Sequence, residues 1–422
     1  MARADRQIGQ HGDKTVKRVL MVAFHFPPLA GSSGVQRCLR FAQYLPEFGW
    51  EPLVLTAHER AYERVSNDLN GQIAQSMLVK RAQAFDAARH FSIAGRYPGA
   101  LACPDRWASW KFDAVRQGMA LIRSHRPDVL WTTFPIATAH SIGAELQRRS
   151  GLPWVADFRD PMVQDGYPAD PRIWRAYDAI ERHTLGSAAA CTFTSPSAAR
   201  SYAARYPHAA LRIGVIENGY DEESFAGLGT HDDAPLNPGV LTLLHSGIVY
   251  PSERDPTQLF AALRRLGPAA QQLRIRFRGA AHDELVRSVA DAHGVGTLVE
   301  TLPPIAYDDA LREMLRADAL LVLQASNCNE QIPAKLYEYL RCGRPILGLC
   351  DPVGDTAAAL RQAGLNAIAP LDDAMQIAAA LRRFIEDGTN VRDARPEPAA
   401  VAAASRRGRT VALAALLDRL TG

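Results

Sequence analysis

Apolar and polar positions along the 422 residues fall into two successive sets of short apolar runs separated by segments of helical period. Val19-Leu20-Met21-Val22-Ala23 has the continuous apolar character of a strand buried on both faces. Val35, Leu39, Ala42 and Leu45 then recur at helical spacing and Pro52 to Thr56 forms the next apolar run, so the chain opens as a βαβ unit. Asp128 to Thr133, Pro153 to Ala156, Ala189 to Thr194 and Ile213 to Glu217 continue the strand series, with a helix through Ile136, Ala139, Gly143 and Leu146. A polar segment, residues 227–238, carries His231, Asp232, Asp233, Pro235 and Pro238 and reads as a linker. Beyond it the pattern starts again. Strands are expected at Val240 to His245, Leu273 to Phe277, Thr297 to Leu302, Ala319 to Leu323, Pro345 to Leu349 and Asn366 to Ala369, alternating with helices such as that of Leu259, Leu263 and Leu266.

The pattern defines an α/β protein of two similar, facing Rossmann-like halves: a polar tail (1–14), a first domain (15–226), the linker, a second domain (239–399) and a final helix (400–422). Residues 58–105 carry no clear period and are expected to be irregular; a helix is expected to begin at Pro104-Asp105-Arg106-Trp107. Trp107 and Trp110 suit either the core or a site that stacks on sugar rings.

Composition narrows the classes. Hydrophobic residues make up 47% and charged residues 22%, the balance of a folded chain, and a net charge of +3 gives no argument for nucleic acid, while leaving room for a local basic face on an anionic membrane. Residues 1–14 lack the apolar centre of a signal peptide, and no apolar run approaches a bilayer span. The six cysteines show no metal-ligand or paired spacing, so buried, reduced thiols in a cytoplasmic protein are expected, with any membrane contact peripheral.

Candidate chemistry concentrates where the run Ala319–Leu323 meets Asn329-Glu330-Gln331-Ile332-Pro333-Ala334-Lys335-Leu336-Tyr337-Glu338. A strand feeding a proline-opened helix presents unsatisfied N–H groups and a positive dipole end, a place for phosphate at Gln331, Ile332, Pro333 and Ala334, with Lys335 beside it. Glu330 and Glu338 can flank one ligand, one acid for sugar hydroxyls and one for ribose, which suggests a nucleotide-sugar. At the end of the Pro153 strand, Asp157-Phe158-Arg159-Asp160 places charge where open parallel sheets bind ligands. His140 near the start of the preceding helix is a second candidate.

Glu330 and Glu338, with seven residues between them, and the following Gly343-Arg344-Pro345-Ile346 resemble the motif of retaining glycosyltransferases of family 4. The opening loop through Ser33-Gly34-Val35 is similar to the family's Gly-Gly-Val, with serine in place of the first glycine. Gly247-Ile248 to Arg254 resembles the donor-diphosphate loop, with isoleucine at the usual arginine position. Arg159 stands where many members carry a histidine. The resemblance implies the GT-B fold, a C-terminal helix crossing back to the first domain, and sugar transfer from a nucleotide-diphosphate-sugar without cofactor or metal. Its acceptor would be a sugar or a lipid-linked or surface-polysaccharide precursor, met in the cytoplasm or at the inner face of the membrane. Carried onto this chain, the catalytic candidates are Glu330, Arg159, His140 and Asp157, and the donor-binding candidates are Gly34, Gly247, Arg254, Gln331, Ile332, Pro333, Ala334, Lys335 and Glu338. A GT-B nucleotide-sugar epimerase or hydrolase, or a noncatalytic nucleotide-sugar-binding scaffold, are the alternatives.

Overall fold

The computed structural model describes residues 16–30, 33–92, 96–228, 234–390 and 394–422. Strands β1 (Lys17–Val22), β2 (Trp50–Ala57), β3 (Leu78–Ala82), β4 (Val129–Thr133), β5 (Trp154–Arg159), β6 (Ala190–Phe193) and β7 (Ile213–Val215) form a parallel sheet in the order β3-β2-β1-β4-β5-β6-β7. Strands β8 (Leu241–Ser246), β9 (Leu273–Arg278), β10 (Val299–Leu302), β11 (Ala319–Leu323), β12 (Ile346–Leu349) and β13 (Ile368–Ala369) form the second, in the order β10-β9-β8-β11-β12-β13. Both sheets are buried on two faces. Along β1, Leu20 and Val22 enter one core cluster and Val19 and Met21 the opposite one; along β11, Leu321 and Leu323 part in the same way from Leu320 and Val322. Period-two side chains on a sheet covered by helices require this unbroken apolar character. In both sheets the strand order reverses direction between the first strand and its inner neighbour, β1/β4 and β8/β11, and crevices at the carboxyl ends of such pairs are where doubly wound sheets take ligands.

Four expectations need correction. Residues 58–105 contain β3, an edge strand whose Lys80 and Arg81 sit among half-buried positions, so its apolar alternation is weak. The helix expected from Pro104 starts at Trp110, after a turn in which Trp107 donates its indole N–H to the Ala61 carbonyl. Trp110 is a core residue, and Trp107 packs half-buried on Phe24. Cys103 and Cys328 are only half-buried, whereas Cys38, Cys191, Cys342 and Cys350 are buried, and all six are free thiols. The final helix is two helices, Pro398–Ala403 and Arg406–Thr421, divided where the Ser405 hydroxyl accepts from the Gly408 N–H and caps the second.

That division marks a chain crossing. Tyr220, Phe225 and Leu228 pack in the second domain's core, so the first crossing lies at Asn218–Tyr220, ahead of the expected linker, whose residues 229–233 are outside the described residues. The return crossing lies against it. Tyr220 N–H donates to the Ala404 carbonyl (3.2 Å) and Arg406 N–H to the Tyr220 carbonyl (2.8 Å). Ala404 belongs to the second core, while Leu413, Ala414 and Leu417 pack in the first, so the Arg406–Thr421 helix returns to the first domain. Gly219 permits this contact: a Cβ there would lie 2.7 Å from the Ala404 carbonyl oxygen and 3.1 Å from the Arg406 nitrogen, both backbone atoms. Gly219→Ala must part the two crossings, and we expect it to cost about 1–3 kcal/mol, read as a lower urea midpoint. An unchanged midpoint would show that the crossings separate freely.

Candidate functional site

The second domain's crevice opens where β8 ends. His245, the penultimate residue of β8, is fully buried, with Nδ1 2.9 Å from the Leu321 carbonyl oxygen. A carbonyl only accepts, so Nδ1 carries the proton and Nε2 is left as an acceptor. Lys335 Nζ lies 2.9 Å from Nε2 and donates to it. The imidazole thus aims the amine. Gly247 follows at φ 111°, and a Cβ there would meet Lys335 Nζ at 3.1 Å, so both backbone conformation and space call for glycine. Burial, followed by the charge of Arg254, pushes the Lys335 pKa well below its ordinary value, opposed by Glu338. Arg254 donates to the Ile248 carbonyl (2.6 Å) and lies over the Tyr250 ring, closing the loop beside the amine.

The helix bearing Lys335 runs Lys335–Cys342, so Pro333 precedes it by two residues. Its first turn closes with Leu336 N–H donating to the Pro333 carbonyl and Tyr337 N–H to the Ala334 carbonyl. The expected phosphate seat is only partly available. Gln331 N–H donates to the Cys328 carbonyl and Pro333 has no N–H, which leaves the N–H groups of Ile332, whose side chain is buried in the core, and of Ala334 and Lys335 at the helix start. Glu338 lies one turn after Lys335 and accepts from the Tyr307 hydroxyl at 2.8 Å. Burial raises its pKa, against the Tyr307 hydrogen bond, Arg406 and Lys335. Glu338 lines a cavity of about 690 Å³ between the domains, walled by Leu29, Val35 and Gln36 on one side, Tyr307 on the other, and Arg406 from the return crossing.

In the first domain the predicted residues divide. Arg159 ends β5 at φ 63°, where the register with β6 shifts, and it reaches back over the carboxyl edge of the sheet. Its Nη1 donates to the Phe134 carbonyl (3.3 Å) and would lie 2.5 Å from a Cβ on Gly34, with His25 Nδ1 at 2.6 Å. Arg159 and Gly34 are therefore brought together at the β1/β4 crevice, and Gly34 makes room for that guanidinium. Ser33 side-chain placement is outside the described residues. Burial and then Arg159 bring the His25 pKa down to about 4.

Asp157 and His140, by contrast, face inward. Asp157 is fully buried, with Arg37 donating to both carboxylate oxygens (3.0 and 2.9 Å) and Thr133 and Thr192 adding one bond each (3.0 and 2.8 Å). Burial works to raise its pKa, but Arg37 and these bonds hold it low. Its oxygens are occupied, so it is an anchor for the Ser33–Tyr44 helix and gives a substrate nothing to bind. His140, also fully buried, sits among Phe134, Trp154 and Phe158 with Nδ1 2.7 Å from Thr132 Oγ1, and burial holds its pKa down at about 3. It is neutral and walled off from the cleft.

Glu330 is where the two halves meet. Its side chain is exposed, and its carbonyl accepts from Ser195 of the first domain at 2.5 Å. Ser197 donates through N–H and hydroxyl to the Asp355 carboxylate (2.7 and 2.8 Å). Thr194 N–H donates to the Arg159 carbonyl, so Thr194 and Ser195 link the Arg159 edge of the first sheet to the Glu330 loop of the second domain. Sequence reasoning missed His245, Tyr307, Asp355 and Arg406; the serine cap at 405 was the readable pointer to the last.

Two parallel, doubly wound domains, with a C-terminal helix returning to the first, make this a GT-B fold. Residues 33–219 match the family model described as a glycosyl transferase 4-like domain, a span that runs from the first helix to the first crossing. Similar solved structures include sucrose-phosphate synthase of Thermosynechococcus elongatus (15% identity, 96% of this chain and 99% of that one, TM-score 0.63). HepE of Anabaena, solved with UDP and glucose, aligns over 96% of this chain and 100% of its own at 15% identity and a TM-score of 0.61. A glycosyltransferase of Rickettsia africae aligns over 96% and 98% at 13% identity and a TM-score of 0.64. No curated protein sequence matches the chain.

Burial lowers the Lys335 pKa, and an anion docked on the amine favours its charged form again. Diphosphate binding should therefore take up protons as pH rises into the range where free Lys335 is neutral. Calorimetry in buffers of different ionisation enthalpy should show this uptake in the wild type and lose it in Lys335→Met. Equal uptake in both would remove Lys335 from the anion site.

Proposed function

We propose that the protein is a retaining, metal-independent glycosyltransferase acting on a nucleotide-diphosphate-sugar. The observation that carries this reading is the Lys335 amine, fixed at 2.9 Å from His245 against Gly247, one helical turn from a half-buried Glu338. A cation at the mouth of the crevice suits a diphosphate, and a carboxylate one turn along suits ribose hydroxyls.

In this reading Lys335, Arg254 and the helix start hold the donor diphosphate and stabilise the charge that develops on it as the bond to the sugar breaks. Donors positioned in advance require little reorganisation at that moment. Glu330 meets the sugar hydroxyls. Arg159 closes the opposite wall, where the acceptor hydroxyl attacks on the face that the diphosphate leaves, and a departing phosphate oxygen takes its proton. The acceptor we test first is a lipid-linked or surface-polysaccharide precursor at the cytoplasmic face of a membrane. No described helix is long and apolar enough to cross one. Because HepE was solved with UDP and with UDP-glucose, uridine donors come first in the screen.

Replacing Glu338 by alanine removes a charged hydrogen-bond acceptor, worth about 1.5–3 kcal/mol, and should weaken nucleoside-diphosphate binding about 10- to 100-fold by calorimetry. Unchanged affinity in the folded variant would sink the ribose assignment. Transfer to acceptor should survive chelation, with the anomeric configuration retained in the product by NMR. Metal-reversible loss of transfer would exclude the metal-free route, and release of free sugar in place of transfer would favour a hydrolase.

A further inference from the structure

The first domain holds a cavity of about 1080 Å³ that the donor chemistry above leaves unused. Its lining comes from Tyr97, Gly99 and Trp107, in the segment before the Trp110–His125 helix, and from Arg172 and Tyr177 of the Pro171–Ser187 helix. Asp105 ties this lining to the carboxyl edge of the sheet. Its carboxylate accepts from the N–H and the hydroxyl of Thr138 (2.8 and 2.9 Å), in the first turn of the helix after β4, and from the Trp107 N–H (3.0 Å). Phe134 then connects the cavity to Arg159: its carbonyl accepts from the Arg159 guanidinium (3.3 Å), and its ring packs edge-on against Tyr177, with centroids 6.0 Å apart.

Tyr177 is the polar group left open in this lining. It is 8% exposed, and among the described residues its hydroxyl makes no hydrogen bond, yet it is not sealed from solvent. A phenol both donates and accepts, so this hydroxyl can meet a hydroxyl of a ligand in either sense. The charged groups of the lining are already paired. Arg172 donates to Asp170 (2.9 Å), Arg106 donates to Asp86 and Glu63 (both 2.9 Å), and Asp105 is held by its three bonds. A phosphate would call for a cation not yet engaged. Aromatic surface from Tyr97 and Trp107, one open hydroxyl and charge that is balanced within the wall suit a neutral, hydroxylated ring with an apolar face, which is a sugar.

We propose that this cavity holds a neutral sugar unit already present on the acceptor, so that the enzyme extends a glycan and does not place the first sugar on a bare phosphate or lipid. This rests on the glycosyltransferase reading, and the test separates the two. The 422-residue chain would be titrated with maltose, cellobiose and lactose, and with glucose against glucose 6-phosphate, by ligand-observed NMR, and with UDP by calorimetry. At least one of the disaccharides should bind, and the 6-phosphate should gain nothing over glucose. Tyr177→Phe keeps the ring against Phe134 and removes only the hydroxyl; it should weaken the bound disaccharide about 3- to 10-fold. Tyr97→Ala, which removes an aromatic face, should also weaken it. UDP affinity should be the same in both variants as in the wild type, which also confirms that they are folded. With UDP still bound, the absence of disaccharide binding, equal disaccharide binding in both variants and the wild type, or a clear preference for the 6-phosphate would overturn the sugar assignment alone. Disaccharide binding that both variants weaken, in a protein that binds no UDP, would uphold the sugar site and overturn the donor reading.

Discussion

The cleft depends on one contact, the packing of Gly219 and Tyr220 against Ala404, Ser405 and Arg406, where the chain leaves the first domain and later returns. A single parallel bridge joins the strands there, and side chains from the Ser33–Tyr44 helix fix its position. Arg37 donates to the Ile216 and Glu217 carbonyls as well as to Asp157, and Arg40 binds Asp221 through Nε at 2.8 Å. Arg409 on the returning helix binds Glu217, to which Tyr337 also donates. Buried ion pairs add little net stability over an apolar replacement, yet losing one partner costs about 3–5 kcal/mol. Their effect here is positional: they give the two domains one arrangement, so that the β1/β4 and β8/β11 crevices open on each other.

Within that frame the donor end solves a problem of charge supply. The loop after β8 has Ile248 where the resemblance leads one to expect an arginine, and in the proposed reading Lys335, on the helix after the neighbouring strand β11, is the cation. Burying an amine disfavours its charged form, and His245 offsets part of that by accepting from it; burial and then Lys335 itself hold the His245 pKa well below its ordinary value, while the Leu321 carbonyl keeps the proton on Nδ1. The amine is aimed by His245 in the ligand-free protein, and an anion beside it would favour its charged form.

The sheet-forming runs were legible because strands buried on both faces leave continuous apolar stretches, and β1, β4, β8 and β11 are of that kind. β3 escaped notice because an edge strand half open to water has little reason to be apolar. The break at Ala404–Ser405 was passed over because the alanine run before it and the apolar spacing from Val411 onward read as one helix, although Ser405 is a residue that caps helices. Spacing placed Glu338, Lys335 and Gly247 near one another because they lie on elements a strand end apart. It could not distinguish Arg159, turned to the crevice by a left-handed backbone, from Asp157 two residues earlier, turned to the core and saturated by Arg37 across 120 residues of chain. His140 was misjudged for a related reason: position at a helix start says nothing about which face of that helix is buried.

The contact between Glu330 and Ser195 ties these parts into one device. Ser195 caps the Pro196–Arg205 helix, and Asp355 of the other domain also engages that helix's first turn through the Ser197 N–H and hydroxyl. Asp355 N–H in turn donates to the Asn329 carbonyl, and Asn329 donates to Asp351. The segment that carries Glu330 is thus held from both sides of the cleft. Opening the cleft would expose these groups to water, which replaces such hydrogen bonds at a net cost of only about 0.5–1.5 kcal/mol each. The two domains are therefore joined at two separate places, by the crossing at Gly219 and Tyr220 and by the Glu330 and Asp355 contacts, and the second set fixes the orientation that the first alone would leave open.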